Sequence, residues 1–184
     1  MDAYIEVDLS GRMMHYWSAL EHGFNVKPDG NIREINHDDD HYRKNYPTLE
    51  QTTHINSAIY SDEFVFCSLF HQGKILKLDR SSGKILKSLG GLSNPHSIYD
   101  LEDKFVVSDT SNYRVLFFSK DLEIIDSVKI NSEWIQDSIL TSRGTLLVAD
   151  SNNSKIVEYD LRGAYLSELN YSPEQRIYQI KEIF

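Results

Sequence analysis

The chain has a single cysteine, Cys67, so no disulfide can form within it, which fits a reducing compartment. It has no apolar run near the ~20 residues needed to span a bilayer as a helix, so no membrane segment is expected. Its first residues, MDAYIEVDLSGR, show neither the basic region nor the apolar stretch of a secretory signal. A cytoplasmic location is the expectation for the chain as it stands. Basic residues are also scarce, with 19 Lys and Arg against 28 Asp and Glu, a formal net charge of −9. Binding to a phosphate backbone needs the opposite balance, so nucleic acid is not an expected partner. The only dense basic pair is Arg43-Lys44.

What the chain does have is a repeat. HSIYDLEDKFVVSDTSNYRVLFFSKDLE, from His96, aligns without a gap with DSILTSRGTLLVADSNNSKIVEYDLRGA, from Asp137. The offset is constant at 41 residues, so Ser97 matches Ser138, Asp109 matches Asp150 and Asn112 matches Asn153. An earlier copy, SAIYSDEFVFCSLFHQGKILKLDRSSGKIL, fits one residue shorter. Each unit reads as four short strands separated by turn residues, with no helical period. A four-stranded unit of about 40 residues is the size of a propeller blade. The predicted fold class is therefore an all-β, partial β-propeller over residues 1–184, with blades at 54–94, 95–135 and 136–172. Asp109 and Asp150 sit in the turns after the second strands, where such side chains cap their own backbone. A structural role is expected for both.

The ends of the sequence add partial units. AYIEVDLSGRMMHYW matches KIVEYDLRGAYLSEL, the third and fourth strands of a blade, and RIYQIKEIF resembles the start of another. Closed propellers have roughly four to eight blades. The terminal strands could form an incomplete fourth blade, two chains could pair to complete a ring, or the chain could be a segment of a longer protein. Self-association is one of the partner expectations.

Residues 21–50 form an acidic insertion with a Pro28-Asp29-Gly30 turn. Long loops on a compact scaffold are often functional. Within it, HDDDH places His37 and His41 around three aspartates. Imidazole and carboxylate are legitimate metal ligands, and a helix would put both histidines on one face. Three consecutive aspartates disfavour a helix interior, however, and an acidic run is usually a solvated surface. No metal is expected, with His37 and His41 as an open alternative.

In a propeller the first strand of each blade lines the channel, and the loops at one rim bring polar groups from different blades together. The entries to these strands read His54-Ile55-Asn56-Ser57, Asn94-Pro95-His96-Ser97, Ile135-Gln136-Asp137-Ser138 and Tyr178-Gln179. His54, Asn56, His96, Gln136, Asp137 and Gln179 are thus the candidate ligand-binding residues. The same side chains could instead satisfy backbone groups where each strand starts.

The segments VVSDTSNYRVLFFS and LLVADSNNSKIVEYD resemble NHL repeats: an aliphatic strand, Asp, a polar turn with Asn, a basic residue, then a second aliphatic strand. The resemblance covers about residues 54–184. It implies a six-bladed propeller superfamily fold, whose members are mostly binding platforms for protein or RNA, with a few enzymes. A narrower stretch, residues 53–98, is similar to arylsulfotransferases in its His-x-Asn-Ser segment, its His-Gln pair, its Asp-Arg-x-x-Gly hairpin and its later NPHSI. That resemblance implies a histidine nucleophile carrying a sulfuryl group, and reaches His54, Asn56 and His96 as catalytic residues. Such chemistry splits one transfer into two steps and needs donors aimed at the sulfuryl oxygens. Where that family has arginine before the His-Gln pair, this chain has Phe70. The leading expectation is a binding module for a protein or small-molecule ligand at the rim, without a cofactor. Sulfuryl transfer is the alternative.

Overall fold

A computed structural model describes residues 2–34 and 46–183. Three four-stranded antiparallel sheets follow one another along the chain. The first holds β3 (Ile55–Ser61), β4 (Phe64–Leu69), β5 (Lys74–Asp79) and β6 (Ile85–Leu89). In the second are β7 (Pro95–Asp100), β8 (Lys104–Asp109), β9 (Arg114–Ser119) and β10 (Ile124–Lys129). The third comprises β11 (Ile135–Leu140), β12 (Leu146–Asp150), β13 (Lys155–Tyr159) and β14 (Tyr165–Asn170). Ahead of them, β1 (Ala3–Val7) and β2 (Met13–Ser18) form a two-stranded half-blade.

Strand order within each sheet is the order in sequence, and turn residues dictate the hairpins. In the β13–β14 turn, Asp160 accepts hydrogen bonds from the Arg162 and Ala164 amides, each at 2.8 Å. Gly163 then takes φ +83°, which few other residues tolerate.

The sheets pack face to face, and both faces of the middle strands are buried. From β8, Phe105 and Val107 join Phe66 and Ile75 of the first sheet, while Val106 faces Ile135, Val148 and Val157 of the third. The half-blade closes on the first sheet through Tyr4 and Trp17, packed with Val65, Leu76 and Leu78. The Trp17 indole also donates to the Gly83 carbonyl at 3.0 Å. Along the inner edge, β3, β7 and β11 are cross-linked: the Ile98 amide donates to Ser57 Oγ at 3.0 Å, and Ser97 Oγ to the Gln136 carbonyl at 3.4 Å.

Asp109 is fully buried and serves its own turn, accepting from the Ser93 amide at 2.7 Å, Asn112 at 2.9 Å and Arg114 at 2.6 Å. Asp150 accepts from Asn153 in the equivalent way, at 2.9 Å. The expected further strand within RIYQIKEIF forms no ladder among the described residues. Ile177 and Ile180 instead pack on Ile139 and Ala149 of the third sheet. In the insertion, Val26 and Ile32 bridge around the Pro28-Asp29-Gly30 turn. His37 and His41 lie outside the described residues.

Candidate functional site

Successive blades meet at one rim around Phe70. This residue starts the turn after β4, and its ring centroid lies 5.4 Å from His54, 5.0 Å from His71, 5.1 Å from His96 and 6.4 Å from Trp134. His96 and Trp134 are themselves 5.7 Å apart. The five rings come from the first sheet, the start of the second, and the lead-in to the third.

Backbone geometry at the strand entries presents these side chains. His54, Asn94 and Ser97 have φ of +48°, +52° and +46°, values that non-glycine residues adopt only where the surroundings enforce them. For His54 the enforcing group is Asp2. Its carboxylate accepts from the amides of Thr52 (3.0 Å), Thr53 (2.6 Å) and His54 (3.1 Å), and from the Thr53 hydroxyl (2.9 Å). Arg33 completes the shell at 2.6 Å. Burial works to raise the Asp2 pKa, but the bonds from Thr53, Thr52 and His54 outweigh it and hold the group below its ordinary value.

Each imidazole is anchored on one side. His54 Nδ1 lies 2.8 Å from Gln51 Oε1. His96 Nδ1 contacts the Asn94 carbonyl at 3.0 Å and Thr110 Oγ1 at 2.8 Å. His71 Nε2 faces the Thr48 carbonyl at 2.9 Å. The Trp134 indole donates to Gln136 Oε1 at 2.9 Å. Burial lowers the pKa of His54 to about 4, aided by His71 and His96 and opposed by Asp2. Burial does the same to His96, also to about 4, against the Asn94 carbonyl. Both rings are neutral at pH 7.

A stability consequence follows with a definite sign. Between about pH 6.5 and 4 the unfolded chain takes up protons at these histidines that the folded chain refuses. Their contribution is complete above that window and lost as pH falls through it. Asp137, raised by burial, acts in the opposite sense. We expect His96→Gln to reduce the fall in urea-unfolding free energy between pH 7 and pH 4.5. An unchanged fall would refute the assignment.

The other sequence-derived residues divide. Gln136 belongs to the cluster through Trp134. Asn56 reaches across to the Pro95 carbonyl at 3.5 Å, linking the first strands of two sheets. Asp137 is fully buried and organises a separate group, accepting from the Ile180 amide at 2.6 Å and the Tyr99 hydroxyl at 2.9 Å. Gln179 is exposed and adjoins Ile180 of that same group. Phe70, His71 and Trp134 were not among the candidates. Their signal was a break in the repeat: Phe70 stands where the following units have Thr110 and Ser151, and Trp134 where the preceding units have Thr53 and Ser93. Among the described residues, no group of three or more His, Cys, Asp or Glu side chains is arranged to hold a metal. Nor is any helix long and apolar enough to cross a membrane.

No known family model and no curated protein sequence matches the chain. Solved structures do. A streptogramin B lyase matches with a TM-score of 0.59 and 15% identity, over 92% of this chain and 48% of that one. A virginiamycin B lyase from Staphylococcus aureus matches with a TM-score of 0.56 and 16% identity, over 92% and 55%. The periplasmic gluconolactonase of Pseudomonas aeruginosa matches with a TM-score of 0.53 and 13% identity, over 63% and 39%. This chain spans about half the length of the solved structures it matches. These structures are β-propellers, and the fold of this chain is a β-propeller with about three and a half blades, a partial ring.

Proposed function

We propose that this propeller is a binding module, NHL-like in its repeats, that takes a ligand at the rim around Phe70. The observation carrying this reading is the convergence of His54 and Phe70 from the first sheet, His96 from the start of the second and Trp134 from the lead-in to the third. Aromatic walls with a few oriented polar groups are the usual make-up of a small-molecule site, and a rigid ring supplies them with little ordering cost. The structures this chain resembles include lyases and a gluconolactonase by name. At this level of identity they support the scaffold and leave the chemistry open.

A second reading, sulfuryl transfer through His54 in the manner of arylsulfotransferases, draws on one specific observation. His54 is neutral, as a nucleophilic imidazole must be. Against it stands Phe70, an apolar ring at the position where a cationic fork would hold sulfuryl oxygens. Incubation with an aryl sulfate and a phenol acceptor separates the two. The binding reading predicts no turnover above His54→Ala, together with perturbation of Trp134 fluorescence by small aromatic ligands. Turnover that depends on His54 would establish the enzyme instead.

Self-association belongs to the same proposal. Among the described residues β1 pairs on one side, with β2, so a backbone edge is available to a second copy. Solution mass decides this point: a dimer supports it and a monomer at high concentration removes it.

A further inference from the structure

The tautomers of both rim histidines can be read from their partners, and together they select a ligand chemistry. The amide nitrogen of Gln51 donates to the Tyr46 carbonyl at 2.8 Å, which turns Gln51 Oε1 toward His54. A carbonyl oxygen only accepts, so His54 Nδ1 carries the proton. At His96 the single hydroxyl hydrogen of Thr110 goes to the Ile135 carbonyl at 2.6 Å. Thr110 Oγ1 therefore accepts from His96 Nδ1, as does the Asn94 carbonyl. A neutral imidazole has one N–H, and in both rings it is committed to the scaffold. Each Nε2 is then a bare acceptor. Neither has a hydrogen-bond partner among the described residues, and neither is sealed from solvent.

The neighbouring donors are committed as well. The Trp134 N–H goes to Gln136, and the His71 ring N–H at Nε2 to the Thr48 carbonyl. The Gln136 amide nitrogen stays a donor at the margin. Acceptors set among ring faces favour donors in a flat, uncharged partner, and they repel anions, whose oxygens offer only further lone pairs.

We propose that the rim site binds a neutral planar ring bearing in-plane N–H or O–H donors, held by His54 Nε2 and His96 Nε2 against Phe70 and Trp134. This rests on the binding reading above and adds the ligand class to it. Gln51 and Thr110 are its positioning residues, acting through the histidines.

The test uses the whole chain with 15N-labelled histidine at pH 7, and three probes of one shape: resorcinol, 1,3-dimethoxybenzene and benzenesulfonate. Before any probe is added, both Nε2 nitrogens are expected at the unprotonated position. Resorcinol is expected to shift both and to perturb Trp134 fluorescence. Dimethoxybenzene, which has the ring without donors, should bind at least about tenfold more weakly, the equivalent of two ordinary hydrogen bonds. Benzenesulfonate should not bind. Thr110→Val leaves the Asn94 carbonyl as the one partner of His96 Nδ1–H and is expected to move part of the proton density to Nε2 and weaken resorcinol, with Thr110→Ser restoring both. Equal binding of dimethoxybenzene, or preference for benzenesulfonate, overturns the donor class while leaving a rim site. Protonated Nε2 nitrogens overturn the tautomer assignment. If no probe moves His54, His96 or Trp134, the rim reading itself falls with it.

Discussion

Replacing Asp2 by alanine is expected to lower the free energy of unfolding by about 3–5 kcal/mol, because it strips a buried charge from several partners at once. The carboxylate gathers the Thr52, Thr53 and His54 amides, the Thr53 hydroxyl and Arg33 into one point. Thr52 and Thr53 are fully buried, so their amides find no water once the acceptor is gone. The Arg33 guanidinium, largely buried beside it, loses its counter-ion. The same change releases His54 from its left-handed backbone conformation and should weaken any ligand held at the rim. Asp2→Asn, which keeps one acceptor oxygen, is expected to cost less than alanine. Chemical denaturation monitored by Trp17, packed in the half-blade core, measures both. A loss below about 1 kcal/mol for alanine would show that the half-blade is not tied to the rim in this way.

The second large effect is expected at Gly73. A Cβ there would stand 2.0 Å from the carbonyl oxygen of Leu92, a backbone atom with no rotamer to relieve the overlap. Leu92 in turn donates its amide to the Gly73 carbonyl at 3.1 Å, so the two segments cannot separate without breaking this bond. The residue also has φ +57°. Gly73→Ala is expected to cost about 3 kcal/mol or more, and Gly144→Ala, with φ +77° but open space around it, only about 1 kcal/mol. The contrast isolates the steric contribution from the conformational one. Because Gly73 closes the turn that starts at Phe70, its amide donating to the Phe70 carbonyl at 3.4 Å, the variant should also disturb the rim.

How much of this could be read beforehand depended on whether a feature repeats. The blades were legible because strand residues such as Val107 and Val148 recur at a constant spacing, and burial on both faces demands apolar residues there each time. Asp109 and Asp150 were legible as turn residues for the same reason. The rim was only half legible. His54, His96 and Gln136 stand at strand entries that alignment locates, but Phe70 and Trp134 occupy repeat positions where sister units carry hydroxyl residues. An enclosing aromatic site requires such departures, since identical units would give a symmetric channel and no single pocket. Asn56 and Asp137 also stand at strand entries; one bridges neighbouring first strands and the other anchors the Ile180 segment. Alternation along a strand does not tell which groups the next blade will cover. Nor could spacing reveal that Asp2, more than fifty residues away, fixes the backbone of His54.

The rim rests most directly on one contact pattern: a single phenylalanine beside rings from its own sheet, from the start of the second and from the lead-in to the third. Nuclear Overhauser measurements on the Phe70 ring protons read it without a ligand or a mutation. Cross-peaks from Phe70 to His54, to His96 and to Trp134 together are expected, given centroid separations of 5.4, 5.1 and 6.4 Å. Cross-peaks from Phe70 to residues of its own sheet alone, with none to His96 or Trp134, would contradict the shared site.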